Sequence, residues 1–252
     1  MLRLEDWLKD ATTALSEVAE QPRSEARRLV EFACGWDAVH QISEPNALIT
    51  REQFEILNSL IARRQADEPL SRILGRREFW GLGLSIRGAT LDPRADTETL
   101  IELALETCGT RHPTSILDLG TGSGAILLAL LNEYPSAQGL GLDQNAETIR
   151  TAESNSSALG LSGRARFAVS DWMSGLTERF DLIVSNPPYI PTQDLADLDR
   201  NVRAFDDPLA LDGGEDGLHF YRRTLETAAR HLNSGGALGL ELGIDQSADV
   251  TE

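Results

Sequence analysis

Short apolar runs of strand length alternate with longer amphipathic segments through the second half of the chain. The strand-like runs lie at residues 115–117, 137–142, 165–170, 180–185 and 237–243. Residues 125–132 and 218–232 instead carry apolar side chains at helical spacing. Alternating strands and helices are typical of a parallel sheet that is covered on both faces. The pattern therefore predicts an α/β fold with a doubly wound, mostly parallel sheet.

Residues 1–74 have a different pattern and are predicted to form a separate, small helical domain. Apolar residues recur at helical spacing over 4–18. Ser24 is in position to cap a helix over 25–34. The sequence Thr-Arg-Glu-Gln at 50–53 has the form of a capping box, which predicts another helix start.

Alternating apolar residues and several glycines indicate a β-hairpin linker over 75–95. The second domain then spans 96–252, and its first helix is predicted to run to about Cys108. Asp96 or Thr97 has the chemistry of an ordinary N-cap for that helix. The same helix start would also suit the wall of a binding site, so both interpretations stay open.

A glycine-rich loop lies between the first predicted strand and the following helix. Residues 118–124 read Asp-Leu-Gly-Thr-Gly-Ser-Gly, and glycines permit a sharp turn and a close approach of ligand to backbone. The spacing differs from the G-x-G-x-x-G of dinucleotide-binding loops, and Asp118 is unfavourable beside a pyrophosphate. S-adenosylmethionine, which is cationic and has no phosphate, fits this loop better.

Acidic residues follow the next two predicted strands. Asp143 lies about 20 residues past the glycines, where a ribose-binding carboxylate belongs. Asp171 and Trp172 follow the third strand, where we expect them to hold an adenine amine and to cover its ring. Taken alone, each has an ordinary explanation, such as a helix N-cap at Asp143 or Asn145 and a surface acid at Asp171. Because parallel strands end along one edge of the sheet, we expect one ligand site there.

The fourth strand leads into Asn-Pro-Pro-Tyr at 186–189. The NH2 of an amide or an aromatic amine is a weak nucleophile because its lone pair is delocalised. The side-chain oxygen of Asn186 and the carbonyl of Pro187 can accept its two N–H bonds and favour a tetrahedral nitrogen. Prolines stiffen the loop and present only acceptors, and Tyr189 offers a flat face for packing. The motif predicts methylation of a planar nitrogen with Asn186, Pro187 and Tyr189 as catalytic residues, although four residues alone would also fit a plain turn.

These motifs together resemble those of the N5-glutamine methyltransferases of peptide chain release factors, the PrmC or HemK group. The resemblance covers nearly the whole chain. Besides the two motifs above, it rests on Glu68-Pro69-Leu70, Leu74-Gly75, Glu78-Phe79, Pro93-Arg94, Asp96-Thr97-Glu98, Ala210-Leu211-Asp212-Gly213-Gly214, Asp216-Gly217-Leu218 and Glu241-Leu242-Gly243. It implies a Rossmann-like methyltransferase domain that methylates the glutamine of a Gly-Gly-Gln loop by direct in-line transfer from S-adenosylmethionine.

The resemblance also implies roles for particular residues. Those expected to bind S-adenosylmethionine are Asp118, Gly120, Thr121, Gly122, Ser123, Gly124, Asp143, Asp171, Trp172 and Asn186. Those expected to bind the substrate glutamine are Asn186, Pro187, Pro188, Tyr189 and Arg94. The N-terminal helices would dock the protein substrate, a class 1 release factor, and no metal is expected.

The sequence departs from the family pattern at a few places. Asp92, Ala95 and Asp207 are local changes that leave the assignment intact. After Gln246 the family continues into another helix and two strands, whereas this sequence stops at residue 252. We therefore expect a short C-terminal end, with an incomplete sheet that exposes an edge.

Composition narrows the choice of substrate. The chain has 23 basic and 40 acidic residues, for a net charge of −17. Such a charge disfavours direct binding of nucleic acid and suits a basic protein partner. Two alternatives stay open: an adenine-N6 nucleic-acid methyltransferase, which shares Asn-Pro-Pro-Tyr, and a catalytically idle module that binds S-adenosylmethionine.

Cysteine usage and hydropathy bear on location. Cys34 and Cys108 lack metal or redox spacing, and no apolar run approaches membrane-spanning length. We accordingly expect a cytoplasmic protein that does not contact a membrane, and we expect it to act as a monomer.

Overall fold

The structure is a computed structural model that describes residues 2–88 and 90–251. The chain divides into two compact units, Met1–Gly75 and Arg76–Glu252. Each unit has its own apolar core.

The first unit is helical with one short strand pair. Its elements are β1 (Leu2–Arg3), α1 (Leu4–Ala14), α2 (Pro22–Cys34), α3 (Ala38–Ser43), β2 (Leu48–Ile49), α4 (Arg51–Gln65) and α5 (Leu70–Leu74). Helices α1, α2 and α4 each bury an apolar stripe, whereas α3 buries only Gln41 and leaves Val39 and Ile42 exposed. The fully buried side chains in this core include Leu4, Leu8, Leu29 and Leu57.

Two helix starts in this unit test the predicted caps. The capping box is confirmed, since Gln53 N donates to Thr50 Oγ1 at 3.2 Å and Thr50 N donates to Gln53 Oε1 at 3.0 Å. The predicted cap at Ser24 is wrong. Helix α2 begins earlier, at Pro22, because proline suits the first helical turn, where its missing N–H costs no hydrogen bond.

The second unit opens with an antiparallel hairpin and continues as alternating helices and strands. Its elements are β3 (Arg76–Phe79), β4 (Leu82–Ser85), α6 (Glu98–Cys108), β5 (Ser115–Leu119), α7 (Ala125–Glu133), β6 (Gln138–Asp143), α8 (Ala146–Ala158), β7 (Ala165–Val169), β8 (Phe180–Ser185), α9 (Arg200–Phe205), α10 (His219–His231), β9 (Leu232–Leu240) and α11 (Ser247–Thr251). The hairpin pairs Arg76 with Ser85 and belongs to this unit.

Strands β5 to β9 form a five-stranded sheet in the order β7-β6-β5-β8-β9, and every neighbouring pair is parallel. The predicted doubly wound α/β fold is thereby confirmed. The chain moves outward from β5 through β6 to β7, then returns to the other side of β5 with β8. This reversal creates a crevice beyond the carboxyl ends of β5 and β8, which is where ligands bind in open α/β sheets.

Side chains of the central strands alternate between two buried faces. Ile116, Leu182 and Val184 pack into one apolar core, whereas Leu117 and Ile183 pack into the other. Helix α7 is buried all round from Ala125 to Leu131. A sheet covered on both faces leaves its strand ends as the accessible place for chemistry.

Two predictions for helices of this unit need correction. Neither Asp96 nor Thr97 caps α6 through its side chain within the described residues, because a short 3-10 turn, Ala95–Thr97, leads into the helix. The helical spacing over 218–232 places Tyr221, Leu225 and Ala228 on one face, but Leu225 is 47% exposed while Tyr221 and Ala228 are buried.

Candidate active site

The glycine loop after β5 turns tightly into α7. Gly120, Gly122 and Gly124 all have positive φ, at 69°, 56° and 81°. Only glycine adopts such a backbone at little cost. Thr121 N donates to Leu142 O at 2.9 Å, which ties the loop to the end of β6. The loop thus presents its backbone at the crevice in a fixed conformation.

Asp118 lies beneath this loop and is completely buried. Its Oδ2 accepts a hydrogen bond of 2.7 Å from Thr121 Oγ1, while its Oδ1 has no partner among the residues that the structure describes. Burial raises the pKa of Asp118 from 3.8 to about 7. The Asp118 side chain therefore holds the loop through its hydrogen bond with Thr121, although burial disfavours its charged form.

Asp143, at the end of β6, faces the same crevice. Its Oδ2 accepts from Gly122 N at 3.1 Å and its Oδ1 accepts from Asn145 N at 2.9 Å. Burial raises the pKa of Asp143, and these backbone N–H groups oppose the rise. Asn145, not Asp143, caps α8, since its Oδ1 accepts from Glu147 N at 2.8 Å. Each oxygen of Asp143 keeps lone-pair capacity for a ligand hydroxyl.

Asp171 and Trp172 follow β7 and differ in environment. The Asp171 side chain is 72% exposed and forms an ion pair of 2.9 Å with Arg223, which lowers its pKa. Trp172 is buried at a φ of 58°, and its Nε1 donates to Thr224 Oγ1 at 3.0 Å. Its ring centroid lies 4.9 Å from that of Phe220. Trp172 thus forms a fixed apolar surface, while Asp171 lies at the solvent edge.

A cavity that opens to solvent joins these strand ends. The predicted cofactor residues that line it are Gly120, Gly122, Asp143, Asp171, Trp172 and Asn186. The other predicted cofactor residues, Asp118, Thr121, Ser123 and Gly124, do not line it, and support the loop from behind. A β-carbon built on Gly120 would lie 3.9 Å from Trp172 Cζ3 and 3.9 Å from the Asn186 carbonyl oxygen.

The Asn-Pro-Pro-Tyr segment leaves β8 beside this cavity. Ser185 Oγ donates to Leu119 O at 2.7 Å, which fixes the end of β8 against β5. Asn186 Nδ2 donates to Thr97 Oγ1 at 3.1 Å. The hydroxyl of Tyr189 lies 3.5 Å from Glu241 Oε1, and burial raises the pKa of Tyr189. Both ends of the motif are therefore held by residues far away in sequence.

A second cavity, of about 200 Å³, lies on the other side of Asn186. All five predicted substrate residues line it, namely Arg94, Asn186, Pro187, Pro188 and Tyr189. Asn186 and Pro188 also line the first cavity and so form part of a shared wall. Arg94 Nη2 donates to the buried Asp206 Oδ2 at 2.7 Å, which fixes that guanidinium at the cavity edge.

Several residues at the site had no role predicted for them from the sequence, and Glu241, Phe220 and Leu91 are examples. Glu241 lies beside Tyr189, Phe220 packs on Trp172, and Leu91 lines both cavities. Glu241 and Phe220 come from the last third of the chain. The sequence carries a signal for Glu241, which lies in the predicted strand 237–243 and in the Glu241-Leu242-Gly243 segment of the family resemblance.

No helix among residues 2–88 and 90–251 is long and apolar enough to cross a membrane. The described residues contain no group of three or more His, Cys, Asp or Glu side chains arranged to hold a metal ion.

Two families match the chain by sequence. Residues 6–75 match the family described as PrmC N-terminal domain, and residues 94–202 match the Methyltransferase small domain. Among structures, the catalytic domain of hMettl16 in complex with a 3′UTR hairpin has a TM-score of 0.55 at 20% identity, covering 76% of this chain and 71% of that one. This likeness supports a Rossmann-like methyltransferase fold.

Curated relatives named release factor glutamine methyltransferase match nearly the whole chain. The protein from Rhodospirillum rubrum is 48% identical over 92% of this chain and 71% of its own length. The protein from Caulobacter vibrioides is 41% identical, with 97% and 83% covered, and that from Escherichia coli is 36% identical, with 100% and 90% covered. The chain therefore belongs to the release factor glutamine methyltransferase family.

Proposed function

We propose that this protein transfers a methyl group from S-adenosylmethionine to the side-chain amide nitrogen of the glutamine in the Gly-Gly-Gln motif of class 1 release factors. The observation that carries the proposal is the position of Asn186 in the wall between two cavities. One cavity has the lining expected for a nucleoside with a cationic tail. The other is lined by prolines, Tyr189 and acceptor groups suited to a flat amide.

The first cavity fits S-adenosylmethionine. Gly120 leaves room for a ligand beside Trp172, and Asp143 offers lone pairs to the two ribose hydroxyls. Trp172 and Phe220 supply an apolar surface for the adenine ring. When bound, the group supplies a methyl carried on positively charged sulfur, which is electrophilic.

The residues of the second cavity prepare the amide nitrogen for attack. Because Asn186 Nδ2 is occupied by Thr97, its Oδ1 remains to accept one N–H of the substrate NH2. The Pro187 carbonyl accepts the other N–H, so the lone pair is drawn out of conjugation. Pro188 and Tyr189 hold the flat side chain in place. Proximity and orientation then provide most of the acceleration, and the proton leaves after methylation.

The two units have separate proposed tasks. Residues 1–74 form the docking domain for the release factor, 75–95 form the hairpin linker, and 96–252 form the methyltransferase domain. The net charge of −17 supports a basic protein partner and gives no support to direct binding of nucleic acid. We infer a cytoplasmic monomer, a location that its two free thiols support.

Mass spectrometry of a release factor fragment containing Gly-Gly-Gln tests the proposal. After incubation with the protein and S-adenosylmethionine, we expect one added methyl group on the glutamine. Asn186→Ala should abolish it, whereas the matched variant Asn132→Ala, on the exposed part of α7, should not. The proposal would be refuted if calorimetry detected binding of S-adenosylmethionine but the glutamine remained unmethylated.

A further inference from the structure

The backbone carbonyl of Tyr189 accepts a hydrogen bond from a residue near the end of the chain. Gln246 Nε2 donates to Tyr189 O at 2.9 Å, and Gln246 Oε1 accepts from Gly243 N at 3.0 Å. Gln246 N also donates to Gly243 O at 3.2 Å, which closes a tight turn after β9. One half-buried side chain therefore joins the end of the Asn-Pro-Pro-Tyr motif to the turn that follows β9.

Both partners of the Gln246 amide are backbone groups, and they determine which end of the amide faces the motif. A backbone carbonyl can only accept a hydrogen bond, and a backbone N–H can only donate one. The NH2 of Gln246 must therefore face Tyr189, and its oxygen must face Gly243. A reversed amide would lose both hydrogen bonds.

Glycines surround the hydrogen bond between Gln246 and Tyr189. A β-carbon built on Gly217 would overlap the Tyr189 carbonyl oxygen and lie 2.7 Å from Gln246 Nε2. A β-carbon on Gly243 would lie 2.5 Å from Gln246 Oε1. One on Gly213 would lie 2.8 Å from Tyr189 Cα. Real β-carbons do not come so close to other atoms, so the Tyr189 peptide is packed directly against glycine backbone.

The motif is held at both of its ends. Beyond Tyr189, Ile190 N donates to Leu211 O at 3.1 Å, and Gly213 N donates to Ile190 O at 2.8 Å. Before the motif, the Ser185 hydroxyl fixes the end of β8. Pro187 and Pro188 have no N–H with which to hold their own peptide groups. Their conformation therefore depends on how firmly the two ends are held.

We propose that Gln246 is a positioning residue that sets the conformation in which the Asn-Pro-Pro-Tyr motif meets its substrate. By holding Tyr189 O, it fixes the direction of the Pro187 carbonyl and the place of the Tyr189 ring in the second cavity. Gln246 itself lines neither cavity, so its effect reaches the substrate through Tyr189. The inference rests on the proposed function, in which the Pro187 carbonyl accepts one N–H of the substrate amide.

Hydrogen exchange followed by NMR, on the protein without ligands, tests this contact apart from catalysis. Gln246→Met keeps the length of the side chain but has no N–H to donate to Tyr189. It should speed exchange of the Ile190 and Gly213 amides about fivefold, because the pairing that they form loses its support. The Val184 amide, inside β8, should exchange as in the wild-type protein. Unchanged exchange at Ile190 and Gly213 would overturn the proposal.

Gln246→Glu separates the hydrogen bond from packing in the methylation assay. The two side chains have nearly the same shape, and one carboxylate oxygen still accepts from Gly243 N. The other oxygen faces the Tyr189 carbonyl, so two acceptors meet. At pH 8, kcat should fall about tenfold with an unchanged Kd for S-adenosylhomocysteine. As the pH falls to 5, the introduced carboxyl takes up a proton and donates to Tyr189. The ratio of variant to wild-type kcat should then rise toward one.

Two control variants make this comparison specific. Gln246→Met has no titrating group and should lower kcat by the same factor at every pH. Gln138→Glu makes the same change of charge at the exposed start of β6 and should keep the wild-type kcat.

The other titratable groups around Gln246 are common to the wild-type protein and all these variants. The acids of the adjoining groove are Asp96, Asp194, Asp216, Glu241, Asp245 and Asp249. The remaining groups are Tyr189, Tyr221, which contacts Gly243, and Arg222, which pairs with Asp216. Their titration therefore cancels in the ratio of kcat values.

Two results of the assay would overturn the proposal. One is a kcat ratio for Gln246→Glu that stays constant from pH 8 to pH 5, and the other is a wild-type kcat for this variant at pH 8. If the wild-type protein does not methylate the glutamine, the proposed function fails, while hydrogen exchange still decides whether Gln246 holds the motif.

Discussion

Replacement of Asp143 by Asn tests the proposed ribose contact most directly. Both carboxylate oxygens of Asp143 already accept backbone N–H groups, from Gly122 at 3.1 Å and Asn145 at 2.9 Å. An Asn side chain has one oxygen, so whichever way it turns, its NH2 faces one of these N–H donors. The change therefore disturbs the loop and removes the charge offered to the ribose hydroxyls.

The size of the effect follows from these contacts. A hydrogen bond to a charged group contributes about 1.5–3 kcal/mol. The loss of one such bond, with a weaker acceptor for the other hydroxyl, costs about 3 kcal/mol, which is roughly a hundredfold in Kd. Folding is retained, because burial raises the pKa of Asp143 and the neutral amide escapes that electrostatic penalty.

Isothermal titration calorimetry with S-adenosylhomocysteine measures this loss. Asp197→Asn serves as a charge-matched control, since Asp197 is exposed and lines neither cavity. We expect the control to bind as the wild-type protein does. A Kd for Asp143→Asn within threefold of the control would refute the assignment of Asp143 to the ribose.

Three further predictions concern other parts of the chain. Burial raises the pKa of Asp118 to about 7, so the folded protein loses stability as pH rises from about 4 to 7. Asp118→Asn should therefore raise the free energy of unfolding at pH 8 by up to roughly 4 kcal/mol and leave it unchanged at pH 4. Equal shifts of the urea midpoint at pH 8 and pH 4 would contradict this prediction. Arg94→Ala should raise KM for the release factor fragment and leave the Kd for S-adenosylhomocysteine unchanged, since Arg94 lines only the second cavity; a weaker Kd would contradict it. Thr50→Ala should lower the stability of the first unit by about 1 kcal/mol in thermal unfolding, whereas an unchanged melting temperature would argue against the cap.

The sequence predicted most strands and helices of the second unit closely, except that the run 237–243 is observed as part of a longer and earlier strand, β9. The apolar run 180–185 is observed as β8 with the same bounds. A strand buried on both faces needs a continuous apolar run, which is visible without tertiary information. The cap at Ser24 failed because capping depends on where the first turn begins, and Pro22 moved that turn upstream. Leu225 is exposed although its spacing is helical, because periodicity identifies a helix without determining how wide its covered face is.

The same reasoning explains why some of the site residues could be predicted from the sequence and others could not. The end of each parallel strand is recognisable as an apolar run followed by polar residues, so Asp143 and Asn186 could be assigned to one edge of the sheet. Thr97 and Glu241 lie near the same edge, Thr97 just before helix α6 and Glu241 just after strand β9. Thr97 looks like a helix cap, and its hydroxyl instead accepts from Asn186. The contact follows only from the fold, because Thr97 and Asn186 are 89 residues apart in the sequence.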